Sequence, residues 1–394
     1  MYISFYSERN PGKILTRETE LVTRKNKEWI EKLLPGFNYL YNRALQIIEG
    51  GDISKKYQTI YIKKKNGNRR RIDIPNEELK KYQREVVYVF TNKLKFIFPS
   101  SIYGYVKGRN RKQMSEVHKN QYQIIKLDIK DFFSSCTLEF VLSSMKEIYP
   151  FCMINIRMIR TILIPCIVYF GGEYRLPQGA PTSPMLSNIA MIPIDFTIEN
   201  EIKDQSGIQW QYTRYADDII ISCGEYYPNK CLSTEEKLLS EIFGDNEKPK
   251  ILSLRDKYYK PRKIAQRAIN SVKENLKKNP YFKLNEDKTK ILYPRYGNVW
   301  MLGISVGSEV NVGNKNKQKL KAILWTFLID CKNGKPWTEE ETRSMLGKLA
   351  NAGFIEPKFV INLISKYEQK LQISFKGEVK KILCNRRTDN RDNG

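Results

Sequence analysis

Runs of β-branched and aromatic residues bounded by turn formers mark the strands of this chain. Ile124-Ile125-Lys126-Leu127 is such a run and ends in Asp128, which predicts a buried strand with a carboxylate at its end. A turn into a helical stretch, Thr137–Met145, follows. Gln209-Trp210-Gln211-Tyr212 and Ile219-Ile220-Ile221 are two more β-rich runs, and Tyr215-Ala216-Asp217-Asp218 lies between them, so a hairpin carrying two adjacent carboxylates at its tip is expected. Between the two clusters, Pro and Gly punctuate Leu176-Pro177-Gln178-Gly179-Ala180-Pro181-Thr182. Ser183-Pro184 then reads as N-cap and first helical position of an apolar helix from Met185 to Ile198.

Helical spacing returns at Arg262–Lys278 and again over Lys315–Ile382, where apolar and basic positions alternate. Gly224–Pro261 is rich in turn residues, with a short helical pattern at Thr234–Ile242, and reads as an insertion that is either a plain surface loop or a functional one. The polar tail, residues 385–394, is expected to be disordered. No run of about 18 apolar residues is present for a membrane span, nor a charged-then-apolar leader, so a cytoplasmic protein without a membrane partner is expected.

Charge narrows the partner. Lys and Arg number 68 against 43 Asp and Glu, a net +25 suited to a polyanion, and the basic residues are interleaved with Tyr throughout rather than gathered on one amphipathic segment. Seven Cys show no C-x-x-C pair and no zinc-type spacing, which argues for reduced thiols and no structural metal.

The carboxylates suggest chemistry. Asp217 and Asp218 at a tight turn repel each other, a cost that divalent cations would remove, although Asp is also an ordinary turn residue. Asp128 reads alone as a strand-end cap; placed to meet Asp217 across neighbouring strands, it completes a set that could hold two metal ions roughly 3.5–4 Å apart.

Seven ordered blocks between about Ile53 and Leu383 together resemble the reverse transcriptases, specifically the prokaryotic lineage of retron, group II intron and phage-defence enzymes. They are Lys64-Lys65-Asn66-Gly67 with Arg70, Ile72, Pro75 and Gln83-Arg84; Gly104-Tyr105 with Gly108-Arg109 and His118; Asp128 to Phe133; Leu176 to Asn188; Tyr215 to Asp218; Leu284 to Lys290; and Trp300 to Ile304. The resemblance implies an α+β right-hand polymerase with an antiparallel-sheet palm and a helical thumb. Residues 1–127 would be an N-terminal arm and fingers, 128–306 the palm, with 139–174 completing the fingers and 224–261 inserted, and 307–384 the thumb.

Roles follow from the same resemblance. Asp128, Asp217 and Asp218 would hold two Mg²⁺ ions, or Mn²⁺ in their place. Lys64, Lys65 and Arg70 would grip the triphosphate, Gln178 and Gly179 would line the nucleotide pocket, and Lys288 would protonate or neutralise the departing pyrophosphate. Phe133 matches the aromatic that packs against the sugar C2′ position, which implies dNTP substrates; an RNA-dependent RNA polymerase carries a hydrogen-bonding constellation there instead. His118, the only histidine, is left to packing.

Within the lineage, retron enzymes carry Val-Thr-Gly where this chain has Met301-Leu302-Gly303, and Asn-Ala where it has Met114-Ser115. No maturase or endonuclease extension follows the thumb in these residues. The expectation is therefore a stand-alone defence-associated enzyme that makes cDNA from a structured noncoding RNA template, with a second copy of the chain or an accessory defence protein as a further partner. A divergent retron enzyme making branched RNA–DNA is the alternative. A non-catalytic RNA-binding scaffold is disfavoured because all three carboxylates are present.

Overall fold

The computed structural model describes residues 34–63, 67, 69–94, 96–203, 209–224, 261–294, 297, 299–335 and 337–384. Lys64, Lys65, the Thr234–Ile242 pattern, nearly all of the 224–261 insertion, the first 33 residues and the tail lie outside them. In chain order the strands are β1 (Tyr57–Lys63), β2 (Arg69–Pro75), β3 (Gln123–Asp128), β4 (Val168–Phe170), β5 (Glu173–Arg175), β6 (Trp210–Tyr215), β7 (Asp218–Cys223), β8 (Lys290–Leu292), β9 (Val299–Met301), β10 (Ile304–Val306) and β11 (Val310–Asn311). Two compact units emerge, one of Met1–Ser100, Lys130–Thr197 and Asn275–Lys283, the other of Ser101–Ile129, Ile198–Glu274 and Leu284–Gly394.

The first unit carries two antiparallel hairpins, β1–β2 and β4–β5. Tyr57 pairs with Pro75 and Lys63 with Arg69, so the basic Arg69-Arg70-Arg71 run forms the start of β2. Helix Glu77–Tyr88 follows at once, its N-terminus satisfied by the Asn76 side chain accepting from Leu79 N–H. It buries Leu79, Tyr82, Gln83 and Val86, an i, i+3, i+4, i+7 stripe, and Tyr82 donates to the Ile162 carbonyl at 2.8 Å. The predicted Thr137–Met145 helix runs Leu138–Glu147 with Thr137 as its cap. Helix Ser183–Lys203 opens where Ser183-Pro184 places it, and Met185, Leu186, Ile189, Ala190 and Met191 are buried, an apolar character round most of its circumference that a core helix requires.

The second unit is built on a four-stranded antiparallel sheet in the order β6-β7-β3-β8. Ile124 and Ile220 join the side chains of β9, β10 and the C-terminal helices in one apolar cluster. Asp128 and Asp218 sit on that same sheet face: Asp128 is four positions from Ile124, directly opposite partners point the same way, and the period is two. Four helices close the chain, Asn314–Lys332, Glu339–Ile355, Pro357–Leu371 and Phe375–Cys384. Leu320, Leu324, Phe327 and Leu328 face Met345, Leu349, Ala352, Val360 and Leu363 in the same cluster, so the alternation read in the sequence is the helical period seen edge-on. Thr338 and Glu341 form a reciprocal capping box at the second helix. No helix among the described residues is long and apolar enough to cross a membrane.

His118 is fully buried in this unit, with Nδ1 2.7 Å from Ser222 Oγ and Nε2 2.6 Å from Thr213 Oγ1. Burial pushes its pKa down to about 3, so the ring is neutral and ties helix Arg111–Val117 to β6 and β7 as a packed, hydrogen-bonded residue.

Candidate active site

The carboxylates of the second unit are placed by backbone register. β3 and β7 pair from Gln123↔Cys223 to Asp128↔Asp218, so Asp128 meets Asp218 directly, whereas the sequence pattern points to Asp217. Tyr215↔Asp218 is the last pair of the β6–β7 hairpin, which leaves a two-residue turn, Ala216-Asp217. Only Ala216 of these two has a positive φ, 56°, the pattern of a II′-type hairpin turn that ordinarily takes glycine at its first position. A non-glycine residue there costs on the order of 1–3 kcal/mol and persists only where the surroundings over-determine it. They do: Ile129 N–H donates to the Asp217 carbonyl at 2.9 Å, and Gly104 packs so closely that a Cβ on it would lie 2.6 Å from the Ala216 nitrogen.

Asp128 is held from a third strand region as well. Asn285 N–H donates to the Asp128 carbonyl at 2.8 Å, its side-chain amide reaches Oδ2 at 3.3 Å, and Lys288 Nζ donates to Oδ1 at 2.7 Å. Lys288 gains basicity chiefly from that hydrogen bond. The Asp218 carboxyl is pushed up to about 6, first by burial and then by the Asp217 and Asp128 charges, while Lys126 and Lys288 only partly offset them. Lys126, on the same sheet face, is pulled below the ordinary lysine range by burial and donates to the Trp300 carbonyl at 2.7 Å.

The burial and like-charge repulsion that push the Asp218 carboxyl up to about 6 are a cost that a divalent cation beside these carboxylates would relieve. Among the described residues, no group of three or more His, Cys, Asp or Glu side chains is arranged so that it could hold a metal ion by itself. Mg²⁺ characteristically takes only one or two carboxylates and completes its shell with water and substrate phosphates.

The first unit holds a cavity of about 220 Å³. Arg70, Arg71 and Arg175 line it with Asp131, Phe170 and Gln178. Buried Asp73 accepts from Arg71 Nε at 2.8 Å and from Thr59 Oγ1 at 2.7 Å, and the Arg71 guanidinium lies 4.2 Å over the Phe170 ring. Arg175 donates to the Ser134 carbonyl at 2.7 Å and stacks 4.1 Å over Tyr281. The Gln178 carbonyl accepts from Asp73 N–H at 2.9 Å. Gly179, at φ 125°, permits that approach, because a Cβ would lie 3.0 Å from the Asp73 carbonyl oxygen. Phe133 is half-buried on the short helix Phe132–Ser135, its ring 5.5 Å from Phe132. Such a concave, basic and partly aromatic pocket suits a phosphate-bearing ligand.

Arg70 and Gln178 are thus brought together in one unit, and Asp128, Asp217, Asp218 and Lys288 in the other. Sequence reasoning passed over Asn285, Lys126, Arg71, Arg175 and Asp131. Asp131 lies inside the Asp128 to Phe133 string, which is the sequence signal that could have found it, and it adopts a left-handed φ of 46°.

A family model described as "Reverse transcriptase (RNA-dependent DNA polymerase)" matches residues 62–322. Retron Ec73 reverse transcriptase of Escherichia coli is 25% identical over 336 residues, 84% of this chain and 92% of that protein. Retron Mx65 reverse transcriptase of Myxococcus xanthus is 25% identical over 281 residues, 68% of this chain and 56% of its own length. Among solved structures, telomerase from Candida albicans in complex with the TWJ fragment of telomeric RNA aligns over 83% of this chain and 63% of that one, at 12% identity and a TM-score of 0.40.

Proposed function

Because the chain belongs to the reverse transcriptase family and is therefore an RNA-directed DNA polymerase, we propose that it copies a structured noncoding RNA partner into cDNA, in antiphage defence, with dNTPs and two Mg²⁺ ions at Asp128, Asp217 and Asp218. The observation that carries the site assignment is the β3–β7 register, which sets Asp128 against Asp218 with Asp217 in the adjoining turn. Bound there, the ions would activate a primer 3′-hydroxyl and neutralise charge on the transferring phosphoryl group. The chain's own groups do the rest. Asn285 orients Asp128 through two hydrogen bonds, and Lys288 neutralises that carboxylate until phosphate oxygens compete for its ammonium. Lys64, Lys65 and Arg70 grip the triphosphate, Gln178 and Gly179 shape the nucleotide pocket, and Phe133 excludes a ribose 2′-hydroxyl. The division into fingers, palm and thumb at residues 127 and 306 belongs to the same reading.

In this reading the product is unbranched, because Met301-Leu302-Gly303 stands where retron enzymes carry Val-Thr-Gly. A second reading, a retron-type enzyme leaving DNA joined to RNA through a 2′–5′ branch, is favoured by relatives named as retron reverse transcriptases along most of the chain. Purified protein should extend a primer on RNA with dNTPs and Mg²⁺, and its copurified nucleic acid should migrate unchanged after debranching enzyme. A debranching-sensitive shift selects the retron reading. Phage resistance that survives both Asp217→Asn and Asp218→Asn would detach defence from polymerisation.

A further inference from the structure

Arg214 is among the largest fully buried side chains of the protein, and it lies in β6 one residue before Tyr215. Its Nη1 donates to the carbonyl of Ala216 at 3.2 Å, the residue whose positive φ opens the carboxylate-bearing turn. Its backbone is clasped at the same time. Arg214 N–H donates to the Ser101 carbonyl at 2.9 Å, and its own carbonyl accepts from Tyr103 N–H at 2.8 Å, so Ser101–Tyr103 runs alongside as a short parallel strap with an Ile102↔Arg214 bridge. Arg109 Nη1 secures the strap by donating to the Ile102 carbonyl at 2.6 Å. The strap continues into Gly104, the residue pressed against the Ala216 nitrogen.

We propose that Arg214 is a positioning residue for polymerisation: its guanidinium, clamped by the Ser101–Gly104 strap, holds the Ala216 carbonyl and so fixes the strained turn that presents Asp217. The inference rests on the proposed role of Asp217. Its particular signature is conditional on strain: glycine at position 216 adopts the same φ without penalty, so the turn would no longer need the clamp.

The test is a double-mutant cycle in the full chain with its copurified RNA, read by primer extension. Arg214→Met should lower kcat by roughly 30-fold or more while dNTP KM and RNA affinity move less than about threefold, the split expected when an alignment of reacting groups is lost. Adding Ala216→Gly in that background should restore kcat at least about tenfold, because the two positions are coupled through one turn. A kcat within threefold of wild type in Arg214→Met, or a loss that Ala216→Gly leaves in place in a protein with an unchanged melting midpoint, overturns the proposal. Should Arg214→Met fail to fold, Arg214→Gln retains an N–H donor: recovered activity supports the clamp, and a folded inactive protein or failure of both variants to fold refutes it. Asp217→Asn in parallel separates the two levels of inference, since retained activity there removes the proposed function, whereas its loss beside an active Arg214→Met removes only the clamp.

Discussion

Asp128, Asp217 and Asp218 are held by main chain, through strand register, a two-residue turn and the Ile129 and Asn285 amides, whereas the arginines around the cavity of the other unit are held by side chains. Arg71 depends on Asp73 and Phe170, Arg175 on Tyr281 and a carbonyl, and Arg70 is exposed. The carboxylates are also of one sign, Asp128 buried and Asp217 and Asp218 half-buried, a charge imbalance that Lys126 and Lys288 offset only in part. The basic pocket mixes Asp73 and Asp131 among its arginines. Groups fixed by backbone, with like charges only partly offset, suit chemistry, where small displacements matter; groups on side chains in a mixed-charge, solvated cavity suit grip. Substitutions in the two regions should therefore fail in different kinetic constants.

The sharpest separation comes from Asp217→Asn, which should cut kcat for primer extension by about 10³-fold or more, the order seen when a transition-state electrostatic contact is removed. RNA affinity and the melting midpoint should stay near wild type, as gel-shift and thermal-melt measurements would show. Phe133→Ala should leave dNTP extension active and erode discrimination against rNTPs by roughly 10²-fold in the ratio of kcat/KM values, the scale at which a single hydroxyl is rejected sterically. Unchanged exclusion of rNTPs in an active variant would remove Phe133 as the gate. For the pocket, Arg70→Ala should raise the dNTP KM by roughly 10-fold or more with kcat altered only a few-fold, since one charge-assisted hydrogen bond contributes about 1.5–3 kcal/mol. A loss confined to kcat would place Arg70 with the chemistry instead.

The smallest effect tests the electrostatic side. Asp218 holds its proton more tightly folded, at about 6, than at its ordinary value of 3.8. Its contribution to stability is therefore fully present below pH 4 and lost as pH rises through 6. In metal-free buffer, wild type should lose about 1–3 kcal/mol relative to Asp218→Asn between pH 4 and pH 7.5 in urea unfolding. Saturating Mg²⁺ should restore it. A difference that stays flat across that window would mean the carboxylates are better solvated than their packing indicates.

Most of the candidate chemistry was legible along the chain because it is written in contiguous strings. Ile124 to Asp128 declares a buried strand ending in a carboxylate, Tyr215 to Asp218 a hairpin tip, and Ser183-Pro184 a helix start, each fixed by local propensity and periodicity. The same strings carried the family. They could not say which Asp faces Asp128, because a one-residue change of register turns every side chain to the opposite face and the register is set by pairing across some 90 intervening residues. Lys288, Asn285 and Lys126 were beyond reach as Asp128's and Asp218's neighbours for the same reason: contact between them exists only once β3, β7 and the segment before β8 have been brought together. Arg214 shows the limit most clearly. In sequence it is one basic residue among 68, and only tertiary structure buries it beneath the turn, where a strap from residues 101–104 leaves its guanidinium a backbone carbonyl to hold. Propensity and hydrophobic period are local properties and survive in the unfolded chain's sequence, whereas register, burial of charge and the field at a carboxylate are sums over distant atoms that only the folded chain assembles.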